Sequence, residues 1–220
     1  MLYQLHNLEI HAAHSCNLRC QNCSHFSDYG LSGILSLENA EMWFEGWSKR
    51  LRPTHFSVLG GEPLLNPNII PLLKLVKKYW VGSEIKLVTN GLLLPKHPTL
   101  LQTLYENDIT LDISLHDSNT TIPLPISSPI KINLRKSYEK WRLDPPSPGH
   151  NPIISYTKCV CRFCTQLHNN MIWKCPRVAY VGFTNLSYWS DYKPLLLSAS
   201  DEEVEEFLNR KEESICGICP

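Results

Sequence analysis

The chain has 220 residues, with 21 Lys+Arg set against 21 Asp+Glu, so no long-range field draws it to nucleic acid or an anionic membrane. That length fits one compact domain, or one domain with a small appendage, and can bury a real core. The apolar runs are short and broken by Pro, Lys or Asn, and the first twenty residues lack a signal-peptide layout, so a cytoplasmic protein without a membrane span is expected.

In chain order, His6–His11 alternates as a strand should and runs into a cysteine-rich loop. Leu37, Ala40, Trp43, Phe44 and Trp47 share one helical face between Ser36 and Arg50, with Ser36 as N-cap. Thr54–Leu59 reads as a strand ending at Gly60-Gly61, Ile69–Tyr79 as an amphipathic helix, and Glu84–Thr89 as a strand ending at Asn90-Gly91. A helix over Thr99–Asn107, strands over Ile109–Leu115 and Ile130–Arg135, and a short helix through Trp141 follow. Such alternation predicts parallel βαβ units, with functional groups at the carboxyl ends of the strands. Residues 143–152 hold four prolines and a glycine, which neither a helix nor a central strand can cross. The expected boundary lies there, with a core over 1–142 and a cysteine-rich part over 153–220. The latter contains a hairpin turning at Asn169-Asn170 and an acidic helix over Ser200–Arg210.

Nine cysteines fall into two groups, Cys16/Cys20/Cys23 and Cys159/Cys161/Cys164/Cys175/Cys216/Cys219, with none between. In a reducing compartment clustered cysteines more often bind metal than pair, and an odd total argues against complete pairing. Two metal sites are the simplest account. The first group is spaced Cys-x3-Cys-x2-Cys, too local for a disulfide framework, and its three thiolates suit three irons of a cubane with the fourth left open. A zinc knuckle using His14 or His25 is the competing reading.

This loop, followed at a strand end by Gly60-Gly61-Glu62-Pro63, resembles the signature of radical S-adenosylmethionine (radical SAM) enzymes. The resemblance implies an α/β fold, a partial (β/α)6-type barrel. It also implies that S-adenosylmethionine binds the open iron of a [4Fe-4S] cluster on Cys16, Cys20 and Cys23. Gly60, Gly61 and Glu62 would then run beside the methionine moiety, the carboxylate suiting its ammonium. Thr89-Asn90-Gly91 closes its strand as a Thr-Asn-Gly often does in the family, which makes Asn90 a cofactor-binding candidate, and Ser114 with Asn133 or Arg135 stands where the family often binds carboxylate and ribose. The family's usual aromatic residue before the third cysteine is here Asn22, so adenine would be met by that amide, by backbone, or by Phe26 or Tyr29.

The later cysteines resemble the family's "twitch" subdomain, a small C-terminal cysteine-rich unit carrying an auxiliary [4Fe-4S] cluster. Cys164, Cys175, Cys216 and Cys219 are the expected ligands, with Cys161 or Cys159 as substitutes for Cys164, and a zinc ribbon as the other reading. The whole layout looks most like that of 2-deoxy-scyllo-inosamine dehydrogenases, which oxidise a secondary alcohol to a ketone. The expected reaction is oxidation of a C–H position in a small polar, sugar- or aminocyclitol-like substrate, with the auxiliary cluster accepting an electron. The alternative is a maturase or epimerase acting on a ribosomally made peptide, disfavoured by the lack of a recognition module ahead of the core. An electron donor such as flavodoxin or ferredoxin is implied, and His116, Arg135 or Arg142 are places to seek the base.

Overall fold

Strand alternation governs the architecture. In β1 (Tyr3–Ala13) the fully buried Leu8, Ile10 and Ala12 alternate with Asn7, Glu9 and His11. In β2 (Leu51–Gly60) the fully buried Phe56 and Val58 alternate with His55 and Ser57. β3 (Glu84–Thr89), β4 (Thr110–Leu115) and β5 (Ile132–Lys136) complete a parallel succession. Each strand thus offers one apolar face and one polar face. The apolar faces are covered by α1 (Leu37–Trp47), α2 (Ile69–Tyr79) and α3 (Leu100–Glu106), whose Phe44, Trp47, Leu72, Leu73, Val76, Leu100 and Leu104 share one core with the strands. Ser36 caps α1 by accepting the Asn39 N–H at 3.2 Å. This computed structural model describes residues 1–119, 121–122, 129–137, 146–188 and 191–220. The short helix expected through Trp141, and Arg142, lie outside the described residues.

The cysteine-rich part does not stand apart from this sheet. Asn151 caps α4 (Pro152–Lys158), where Pro152 occupies the first turn, a place in which a missing N–H removes no helical bond. The proline run that ends regular structure also starts this helix, which the breaker argument does not foresee. β6 (Thr165–His168) then pairs parallel with β1 at Leu8–Thr165 and Glu9–Gln166. β7 (Met171–Trp173) returns antiparallel, and the two-residue β8 (Leu195–Leu196) adds the last rung. The eight strands form one sheet in the order β5-β4-β3-β2-β1-β6-β7-β8, a partial barrel of the expected α/β class with a cysteine-rich C-terminal part. α5 (Pro176–Tyr180) follows Cys175, and α6 (Asp201–Asn209) begins with a capping box between Ser200 and Glu203.

The hairpin turn sits at Asn169 and Asn170, both left-handed with φ of 51° and 59°. Asn tolerates that conformation, which matches the strand twist. Trp47 of α1 donates its indole N–H to the Asn170 carbonyl at 3.1 Å, tying the hairpin to the core. Replacing Asn170 with Val should destabilise the apoprotein by about 1–2 kcal/mol in chemical denaturation, because a β-branched residue is strained at positive φ. Asn170→Gly should hold or raise stability.

Candidate active site and metal centre

The polar faces of β1 to β5 enclose a cavity of about 1010 Å³. Cys16, Cys20 and Cys23 stand on its rim with Asn22, Gly60, Gly61 and Asn90, while Glu9, His55, Ser57, Lys86, Asp112, Ser114, His116 and Arg135 line the barrel interior. Arg135 donates from Nε to Asp112 Oδ1 at 2.6 Å, across the Ser114–Arg135 register of β4 and β5. Asn133, two residues earlier on β5, is exposed and is not part of the lining.

The cysteine loop is pinned to the sheet by backbone contacts that exclude side chains. A Cβ on Gly60 would lie 2.1 Å from the Ala13 carbonyl oxygen, and one on Gly61 would lie 2.3 Å from that of Ser15. In their place the Gly61 and Glu62 N–H groups donate to Ala13 O at 2.9 Å and Ser15 O at 2.8 Å. The Glu62 side chain is fully buried and is not among the groups that line the cavity. Its Oε1 accepts from Thr89 Oγ1 at 2.6 Å and Leu64 N at 3.0 Å, and its Oε2 from Asn90 N at 2.9 Å. Burial raises its pKa against those three donors. Asn90 in turn donates from Nδ2 to Asn17 Oδ1 in the cysteine loop at 2.7 Å. Asn66, also fully buried, donates to the Ala12 and Leu35 carbonyls at 2.8 and 3.0 Å and fixes the same end of β1.

Beside the loop lies a histidine cluster of which sequence reasoning singles out only His14 and His25. His11 contacts His14 at 3.0 Å (Nδ1 to Nδ1) and His25 at 2.6 Å (Nε2 to Nδ1), and stacks on Tyr180 with centroids 3.6 Å apart. His168 of β6 packs edge-on against Tyr180. His14 and His25, the candidate zinc partners, are both turned onto His11. Burial holds His11 well below its usual value, His25 down to about 4 and His168 to about 3. Tyr180 donates to Gln166 Oε1 at 3.0 Å, and Gln166 and Asn7 both donate to Glu9, whose pKa burial raises. The signal for this network is only the recurrence of His at positions 11, 14 and 25 around the loop. Phe26 is buried in a second core with Leu31 and Val178–Val181, and Tyr29 is exposed outside the cavity. Asn22, left-handed at φ 57°, lines the cavity, as Phe26 and Tyr29 do not.

Three thiols around one space, with a glycine shelf beside them, fit a cubane with three protein ligands. Cys16 Sγ accepts the Leu18 N–H at 3.4 Å, a contact that favours the thiolate. Burial pushes Cys16 up to about 11 and also raises Cys20, where the charges of Cys23 and Asp28 add to it. Metal binding must therefore displace protons. Among the described residues no three His, Cys, Asp or Glu side chains stand close enough together to hold a single metal ion.

The later cysteines also gather. Cys159 closes α4, and Ser155 of α4 donates to the Cys219 carbonyl. Cys175 and Cys219 pack on the second core, and the charges of Cys161, Cys219 and Cys159 add to burial in raising Cys175. Gly217, between the last two cysteines, lies so close to the His150 carbonyl that a Cβ would be 2.7 Å from it. Cys161 and Cys164 differ from the others in lining the large cavity.

A family model described as the radical SAM superfamily matches residues 10–143. GTP 3′,8-cyclase of Trichodesmium erythraeum is 31% identical over 119 residues, covering 51% of this chain and 36% of that protein. The antilisterial bacteriocin subtilosin biosynthesis protein AlbA of Bacillus subtilis is 30% identical over 113 residues, covering 50% of this chain and 24% of that one. The chain thus spans about a third or less of the length of these curated relatives. The crystal structure of BtrN in complex with AdoMet and 2-DOIA superposes with a TM-score of 0.61 at 15% identity, covering 100% of this chain and 94% of that chain. At that identity the likeness is one of fold.

Two outcomes test this geometry. Gly61→Ala should displace the cysteine loop and lower the iron bound after anaerobic reconstitution by the share that loop holds, read by iron analysis. The buried histidines are neutral in the fold and take protons on unfolding, so their contribution is complete above about pH 6.5. It is lost as pH falls towards the folded values, at about 1.4 kcal/mol per pH unit for each group. His168→Leu should flatten that acid limb in denaturation of the apoprotein.

Proposed function

Because the chain belongs to the radical SAM superfamily, we propose that it is a radical SAM oxidoreductase that oxidises a C–H position of a small, polar, hydroxyl- or amine-bearing molecule. The observation that carries this is a cavity with the thiol trio at its rim and ionisable groups along its wall. Bound at Cys16, Cys20 and Cys23, a reduced [4Fe-4S] cluster and S-adenosylmethionine supply a 5′-deoxyadenosyl radical that removes a hydrogen atom from carbon. Gly60 and Gly61, on the cavity lining, would run beside the methionine moiety, and Asn22 beside the adenine. The side chain of Glu62 supports both from behind, since its two oxygens are occupied by Thr89, Leu64 and Asn90.

The wall suits a compact substrate rich in hydrogen-bonding groups. Asp112 and Glu9 offer acceptors for hydroxyl or ammonium groups, and Lys86 and Arg135 offer donors. His116 is lowered by burial first and then by the charge of Arg135, so its imidazole is neutral at pH 7 and can take a hydroxyl proton on a ring nitrogen. The sheet and its buried core hold these groups at fixed positions, which is what selective hydrogen removal requires. The C-terminal cysteines would hold a second [4Fe-4S] cluster to accept the electron that the substrate gives up, in a twitch-like part over 153–220, and a flavodoxin or ferredoxin would reduce the first. The full-length likeness to BtrN, solved with AdoMet and 2-DOIA, supports a small-molecule substrate. The match to AlbA keeps the modification of a ribosomally made peptide as the second reading.

Anaerobically reconstituted protein should bind about eight irons, and Cys16/Cys20/Cys23→Ala about four. With dithionite and S-adenosylmethionine it should release 5′-deoxyadenosine, and no cleavage by protein with a reduced, intact cluster would overturn the reading. A dehydrogenase forms product two mass units lighter with substrate hydrogen in the deoxyadenosine, whereas epimerisation leaves the mass unchanged. His116→Gln should keep deoxyadenosine release while lowering oxidised product about 100-fold.

A further inference from the structure

Each carboxylate near the deep end of the cavity has a donor within the protein, while one cation there has no acceptor. Asp112 is taken by Arg135, which donates from Nε to its Oδ1 at 2.6 Å. Buried Glu9 accepts from Asn7 Nδ2 at 2.6 Å on one oxygen and from Gln166 Nε2 on the other, and burial works against its charge. Glu84, two residues before Lys86 on β3, lies outside the lining, with its Oε2 3.1 Å from His55 Nδ1. Lys86 itself lines the cavity half-buried, and among the described residues its ammonium makes no hydrogen bond or ion pair.

Position separates Lys86 from the place expected for the cofactor. It stands three residues before Thr89, the end of β3, and its register partner Ser57 stands three before Gly60, the end of β2. At ~3.3 Å per residue, both strands put it about 10 Å below the rim that carries the thiol trio and the glycines. Ser57 donates its hydroxyl to Asn7 Oδ1 at 3.1 Å, and His6 and His55, in edge contact with centroids 5.3 Å apart, line the same end. An ammonium at that depth must be solvated by water, which is lost as a ligand enters. An oxyanion replaces that solvation, whereas an amine-bearing ligand meets like charge.

We propose that the substrate is a hydroxylated anion, whose carboxylate or phosphate monoester binds the Lys86 ammonium at the deep end of the cavity and leaves its hydroxyl-bearing carbons facing the cysteine rim. This rests on the reading above that the cavity takes the substrate, and it narrows that reading from hydroxyl- or amine-bearing molecules to hydroxylated acids. Asp112 and Glu9 keep lone pairs for the hydroxyls. Fixing one end of the molecule at Lys86 also selects which carbon is presented to the radical.

The test measures binding by calorimetry to the full chain, reconstituted anaerobically with S-adenosylmethionine present. The probes are glucose-6-phosphate, glucuronate, neutral glucose and cationic glucosamine. At least one anionic probe should bind about tenfold more tightly than glucose, a gain of about 1.4 kcal/mol, and glucosamine no more tightly. Preference for the phosphate or for the uronate identifies which oxyanion the site takes. Lys86→Met should remove the preference and Lys86→Arg should keep part of it. In the wild type, acetic anhydride labelling of Lys86, read by tryptic mass spectrometry, should fall several-fold with the anionic probe and not with glucose. No anionic preference, glucosamine binding tightest, or a preference that survives in Lys86→Met would overturn the proposal. Wild-type protein that binds an anionic probe yet releases no 5′-deoxyadenosine with dithionite would instead overturn the radical reaction and leave the anion subsite standing.

Discussion

The close approach of two backbone segments, Gly60-Gly61 against Ala13–Ser15, is the constraint on which the site depends. The cysteine loop has little regular structure of its own, and its sulfurs can share a space only if the loop is held at both ends. It is held because two glycines present N–H and bare Cα where any side chain would collide. Glu62 then converts a local contact into a shared one. Its carboxylate draws the ends of β2 and β3 together, and Asn90 carries the link back to Asn17 between the first two cysteines. A buried carboxylate with three donors is costly to lose but rigid while intact. The acidic residue of the motif thus ties the end of β2 to the end of β3 and, through Asn90, to the cysteine loop.

A second link joins the rim to the C-terminal part. His25, just after Cys23, reaches His11 on β1, which stacks on Tyr180 of α5, the helix that begins immediately after Cys175. Phe26 enters the second core beside Cys175 and Cys219. The two cysteine groups are therefore joined by packing as well as by the β1–β6 pairing. That rigidity matters for any passage of an electron between them, because the separation of the two groups is fixed by buried contacts rather than by a hinge.

Much of the fold was legible in the sequence because period and capping agreed. Ser36, the apolar stripe to Trp47, the exact span Ile69–Tyr79 and the Asn169-Asn170 turn all follow from rules that tertiary packing had no reason to override. Cys16, Cys20, Cys23, Gly60, Gly61, Asn90, Ser114 and Arg135, singled out by spacing and by position at strand ends, all line the same cavity. Asn133 was harder to separate from Arg135, because residues two apart on a strand share a face and differ only in their level along it, Asn133 beside Asp112 and Arg135 beside Ser114. The direction of Glu62 was hidden for a different reason. A carboxylate beside two glycines reads as a ligand for a cation, and its bonds to Thr89 and Asn90 appear only once the end of β3 lies beside it. Glu9, Gln166 and Tyr180 could not be read at all, since their network exists only once β6 lies against β1.

The β1–β6 pairing also explains why one cavity can serve both cysteine groups. A parallel neighbour brings the start of β6 level with the middle of β1, so the residues just before it arrive beside Asn7 and Glu9, deep in the barrel. Cys161 and Cys164 are those residues. Had β6 run antiparallel to β1, the same Cys-x2-Cys turn would have been carried to the opposite end of the strand. Strand direction therefore decides that Cys161 and Cys164 line the cavity while Cys175 does not. The hairpin and α5 then lead the chain away from the cavity, so that Cys175 meets the terminal Cys216–Cys219 turn in the second core.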